Sequence, residues 1–148
     1  MMSNALKNNE HSTQTAIHVF RLLPHQDLKK CILEFAKANN IKAASVVTCV
    51  GSLEQTNLRF ANQKEGMERK GYHEILSLSG TLSDTSVHLH LTVANSEGTT
   101  TGGHLLDGNL IYTTAELVIM ELTDIEFVRE IDPTYGYHEL QIKKITPS

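Results

Sequence analysis

The chain has no tryptophan, only three prolines, and only two cysteines among its 148 residues. Aromatic residues make up 5% of it. Cys31 and Cys49 form no CxxC pair and no zinc-ribbon spacing, so they read as reduced core thiols and point to a cytoplasmic setting. No apolar run approaches the ~18 residues of a membrane helix, and Met1 to Thr15 lacks the apolar centre of a secretion signal. There is no basic excess. The net charge is -4, and the longest basic clusters are pairs, such as Lys29-Lys30 and Lys143-Lys144. Proteins that live on phosphate backbones carry a basic patch or stripe, so strong autonomous DNA binding is disfavoured. Neither a GxxxxGK[ST] phosphate loop nor a serine in a nucleophile elbow is present.

What is present fits one domain of ordinary composition, 40% hydrophobic and 20% charged. Such a length buries roughly 70% of the surface of its unfolded chain. Residues 1–15 show no period and read as a disordered tail, and 16–145 as the folded domain. Asp27 is placed to cap a helix whose stripe is Leu28, Cys31, Ile32, Phe35 and Ala36. The remainder predicts strands at 16–23, 43–51, 55–61, 74–82, 87–93, 99–107, 115–122, 125–131 and 137–142. Residues 62–71 read as a loop, and 132–136 as a turn. Ala115–Leu122 reads as a central strand buried on both faces. The fold class is therefore α+β, a largely antiparallel sheet with one main helix. One helix covers one face of such a sheet. The other is expected to close by curling or against a second copy of the chain.

Eight histidines is a high count, and three of them are placed for a common purpose. In Val87-His88-Leu89-His90-Leu91 the apolar residues take the core, so His88 and His90 share the opposite face. Their Cβ atoms then lie roughly 7 Å apart, within reach of one ion at metal–nitrogen distances of ~2.0–2.1 Å. A five-residue connection, Asn95–Thr99, sets His104 directly opposite His90. A four-residue connection needs a bulge at Gly102-Gly103 to restore that face. Three neutral imidazoles leave an open fourth position for water, which a catalytic metal activates near neutral pH. The cofactor expected is a divalent metal. Zinc is the first choice, and imidazole also suits iron, nickel and copper. The alternative is a set of solvated strand histidines, which is the reading given to His11, His18, His25, His73 and His138. Arg59 is a candidate contact for an anionic small-molecule ligand or a partner for Glu74. Gly102 and Gly103 let a ligand or another backbone come close. Glu74 and Glu116 are candidate catalytic carboxylates, Glu74 as a base or as support for a ligating histidine, and Glu116 as a buried carboxylate or subunit contact.

The stretch Gly71–Leu82 resembles the hallmark strand of the PPC (plants and prokaryotes conserved) domain family. So do Asn57-Leu58-Arg59-Phe60, His88-Leu89-His90, Gly102-Gly103-His104-Leu105, Thr113-Thr114-Ala115-Glu116 and the segment Asp132–Leu140. The similarity runs in consistent order over about residues 16–143. The resemblance implies an α/β fold on an antiparallel sheet assembling as a homotrimer. It also implies that His88, His90 and His104 are metal ligands, as in the prokaryotic branch. Plant members have an aromatic residue where this chain has His73, and they lack the histidine set. They carry AT-hooks, Arg-Gly-Arg-Pro segments absent here. Prokaryotic relatives carry a DNA-binding label, which fold similarity alone does not transfer. The expectations are thus a trimeric metal-binding domain with small-molecule chemistry or binding, an oligomerisation or protein-interaction module, and a DNA-binding regulator, in that order.

Overall fold

Alternating apolar residues and one amphipathic stretch organise the computed structural model, which describes residues 13–146. In chain order the elements are β1 (Thr15–Leu22), α1 (Leu28–Ala38), β2 (Ala44–Arg59), β3 (Met67–Leu82), β4 (Val87–Asn95), β5 (Thr100–Leu105), β6 (Leu110–Leu122), β7 (Ile125–Ile131) and β8 (His138–Lys144). Of the tail predicted over residues 1–15, positions 1–12 lie outside the described residues. Thr15 already belongs to β1.

The helix forms where the 3.6-residue stripe predicted it. The Asp27 carboxylate accepts from the Lys30 amide at 3.1 Å, satisfying a donor of the first turn. Its other oxygen accepts from the Gly108 amide at 2.7 Å, tying the cap to the chain ahead of β6. Leu28, Ile32 and Ala36 are fully buried, and Phe35 stacks on Phe20 of β1 with ring centroids 4.0 Å apart.

Six strands form one antiparallel sheet in the order β1-β6-β2-β3-β4-β5. The sheet then curls. At the far end of β2, Leu58 and Arg59 pair with Leu105 and His104 of β5, so β2, β3, β4 and β5 close a ring. Closure removes the open edge that β5 would otherwise present. Leu89, Leu91 and Val93 of β4 fill the interior together with Leu53, Leu58, Leu78 and Leu105. The expectation of a curled sheet is met in this part of the molecule.

The other end of the sheet is open. The strands β1, β6 and β2 turn one face to α1, and leave Ile17, Val19, Val47 and Val50 exposed; Val19 is 74% exposed. β6 is therefore buried on one face only. Ala115, Leu117 and Ile119 are buried, whereas Glu116 is exposed and Val118 is half-buried. Reading Ala115–Leu122 as buried on both faces treated an apolar outer face as an interior one.

Two other boundaries differ. The segments 43–51 and 55–61 form one sixteen-residue strand, with pairing irregularities near Leu53/Gln55 that let it bend from the open sheet into the ring. The predicted loop 62–71 ends early, because Met67–Lys70 pair with Gln55–Leu58. Their side chains are exposed, so no apolar alternation marks them. β7 and β8 form a separate hairpin, held to the body by the Phe127 amide on the Lys42 carbonyl (3.0 Å) and by Arg129 on Thr81 (3.0 Å).

Candidate metal centre and the cleft beside it

His88 and His90 project from the outer face of β4, because Leu89 and Leu91 take the inner one. Ala94 pairs with Thr100 and His90 with His104, the register of a five-residue connection with no bulge at Gly102-Gly103. The three rings meet. Centroids are 5.2 Å apart for His88–His90, 5.1 Å for His88–His104 and 5.7 Å for His90–His104. One ring nitrogen from each lies within 4.8 Å of the others. Three nitrogens bound tetrahedrally at ~2.1 Å stand about 3.4 Å apart. Small rotations of the rings bridge that difference, so the residues present fit a divalent ion. Among the described residues no other group of His, Cys, Asp and Glu is placed this way.

The electrostatics keep two of these rings neutral, the form that binds metal. Burial lowers the His104 pKa to about 4, helped by the Arg59 guanidinium and the two neighbouring imidazoles. Burial, Arg129 and His90 likewise lower that of His88, against an opposing pull from Glu139.

Gly102 and Gly103 are glycines because strands approach them. A Cβ at Gly103 meets the Arg59 carbonyl at 2.8 Å, and one at Gly102 meets the Leu91 carbonyl at 3.0 Å. The close neighbour is backbone, the second of the two roles expected for them. Both also line a hollow of about 380 Å³ with Arg59, Phe60, His88, His90 and His104.

Arg59 is the register partner of His104, so it stands beside the triad. The alternative pairing of Arg59 with Glu74 does not form. Neither candidate carboxylate comes to the triad. Glu74 pairs in register with Ser52 and Ala94, and lines a separate depression with Tyr72, His73 and Tyr112. Glu116 is exposed on β6 opposite Arg21. Of the other histidines, His18 donates to Glu121 (2.7 Å), His25 to Glu54 (2.6 Å) and His73 to the Gly71 carbonyl (2.8 Å). His11 lies outside the described residues.

Sequence reasoning gave no site role to Arg129, Tyr137 or Glu139, and it read His138 as a solvated strand histidine, although 137–139 fall in the family-like segment Asp132–Leu140. With Arg59, Ser86, Val87, His88 and His104 they line an open cleft of about 400 Å³. No local signal ties them to the triad, because the hairpin reaches it only through tertiary packing.

Comparison with known proteins agrees with this architecture. Residues 9–123 match the model of the Plants and Prokaryotes Conserved (PCC) domain. The chain belongs to that family. The bifunctional protein GlmU of Synechococcus sp. (strain JA-3-3Ab) is 47% identical over 129 residues, 87% of this chain. This chain spans only about a fifth (21%) of the length of that relative. A hypothetical protein from Salmonella cholerae-suis superimposes with a TM-score of 0.89 at 37% identity, over 90% of this chain and 97% of its own. Two more distant structures share the fold, each with a TM-score of 0.74. One is a metal-containing protein from Archaeoglobus fulgidus, at 24% identity over 89% of this chain and 96% of its own. The other is a candidate DNA-binding protein from Bacteroides thetaiotaomicron, at 23% identity over 88% of this chain and 98% of its own.

Proposed function

We propose that this PCC domain is a metal-binding module in which His88, His90 and His104 hold a divalent ion, zinc by preference, and that the centre binds or transforms a small molecule. The observation that carries this reading is the convergence of three imidazoles, from two paired strands, on the face turned away from the core. Imidazole nitrogen is a common donor for zinc, and three protein ligands leave a position open to a ligand, as in catalytic rather than structural sites. When bound, the ion would supply Lewis acidity. The chain's own part is to present neutral rings, through the lowered pKa values of His88 and His104.

The proposal includes assembly as a homotrimer. The exposed apolar residues Ile17, Val19, Val47 and Val50 on the open end of the sheet support self-association. The same strip favours a second reading, an oligomerisation module that needs no metal. A DNA-binding role finds less support in a chain of net charge -4.

Elemental analysis of untagged protein separates these readings. The metal reading expects about one ion per chain in the wild type and a large loss in His90→Ala. Equally low metal in both samples overturns it, while sedimentation equilibrium reports the assembly independently.

A further inference from the structure

We propose that the cleft beside the triad is a receptor for a small oxyanion, a carboxylate or phosphate group, gripped between the guanidiniums of Arg59 and Arg129. The placement of such a ligand next to an ion rests on the metal reading above; the anion grip itself does not.

The two arginines reach the same cleft from different parts of the chain. Arg59 is the last residue of β2 and the register partner of His104. Arg129 comes from β7, and its guanidinium donates to Thr81 Oγ1 at 3.0 Å. Thr81 is in turn the register partner of His88. One cation is therefore fixed at the His104 flank of the triad and the other at its His88 flank, and both line the cleft of about 400 Å³. Both side chains are half-buried, and among the described residues neither has a carboxylate within ion-pair distance. Arginine stays charged at every working pH and presents a planar fork of N–H donors that matches carboxylate and phosphate oxygens.

The rest of the lining does not cancel this charge. Glu139 is the one carboxylate there, exposed on β8, against two guanidiniums. Ser86, Tyr137 and His138 add polar groups able to contact further ligand atoms. A neutral or cationic ligand would leave the two guanidiniums uncompensated. An oxyanion answers both, and the cleft lies in the volume range of small-molecule sites.

The test is calorimetric titration of the full chain with inorganic phosphate and, separately, malonate. Each titration uses zinc-loaded and chelator-treated protein, with metal content measured in parallel. The wild type is expected to bind at least one of the two anions. Arg59→Gln and Arg129→Gln should each weaken that binding at least tenfold at unchanged metal content, and Arg129→Lys should recover part of it. Malonate binding alone identifies a carboxylate site, and phosphate binding alone a phosphoryl site. Arginine-dependent binding to protein that takes up no metal on zinc loading upholds the anion site while removing the metal reading. No binding of either anion by loaded and metal-free protein, or binding that ignores both substitutions, overturns the proposal. Thermal melts of the variants verify that each remains folded.

Discussion

His90 and His104 stand directly opposite one another across the β4–β5 ladder, ring centroids 5.7 Å apart, both on the side of the sheet that the core does not use. Antiparallel partners on one face are natural bidentate clamps, because the ladder fixes their separation before any ligand arrives. His88, two residues along, completes the set.

Metal should therefore stabilise the folded chain. A ligand at 100 times its Kd adds about 2.7 kcal/mol. The melting temperature of chelator-treated wild type is expected to rise by several degrees on adding zinc, and that of His104→Ala to stay unchanged. Differential scanning calorimetry with and without the ion checks this.

Gly80 is expected to be intolerant of any side chain. It has φ +139°, and a Cβ there would approach the His88 carbonyl. Gly80→Ala should cost about 3 kcal/mol or more in urea unfolding and weaken metal binding, because the strand that must shift carries His88. Gly98→Ala is the contrast. Its φ is +78° with nothing within 4 Å, so only the backbone cost of about 1–2 kcal/mol is expected.

Asn109 is fully buried, and its side chain replaces a rung of sheet. Its Nδ2 donates to the Asn57 and Leu106 carbonyls at 2.8 and 2.7 Å, and its Oδ1 accepts from the Asn57 amide at 2.9 Å. Asn109→Ala leaves the part-buried Asn57 amide and Leu106 carbonyl without this partner, each worth ~1–3 kcal/mol, while the Asn57 carbonyl keeps the Leu106 amide at 3.3 Å. A loss of about 3 kcal/mol in denaturant unfolding is expected, together with faster amide exchange at Asn57 and Leu106.

Burial pushes the Cys49 thiol up to about 12. In the unfolded chain a cysteine titrates near ~8.5. The folded form thus keeps a proton that the unfolded form releases. The stabilisation is complete below the unfolded value and erodes as pH rises toward the folded one. Stability is expected to fall between roughly pH 8.5 and 11 in the wild type and less in Cys49→Ala, measured by urea midpoints. At pH 8, thiol reagents should leave Cys49 unlabelled until denaturant is added.

Much of the frame was legible because period carries it. The 3.6-residue stripe from Leu28 to Ala36 and the strict alternation of Val87–Val93 each bury what they predicted. The His90–His104 register followed from a connection length alone. The exposed first quarter of β3, Met67–Lys70, could not be read, since a segment exposed on both faces shows no apolar rhythm. The expected burial of Glu116 failed for the opposite reason, an apolar outer face imitating an interior one. Arg129 was invisible because nothing near it in sequence refers to His88. Only the packing of a distant hairpin brings the two together.

The seam between β2 and β5 consists of two paired positions, Leu58 with Leu105 and Arg59 with His104. The histidines all lie on one side of that seam and Arg59 lies on the other. Widening it would carry the guanidinium away while leaving the three rings in mutual register on β4 and β5. The proposed ion site and the proposed anion site therefore rest on different sides of the seam, and a change in the seam is expected to act on the second without the first.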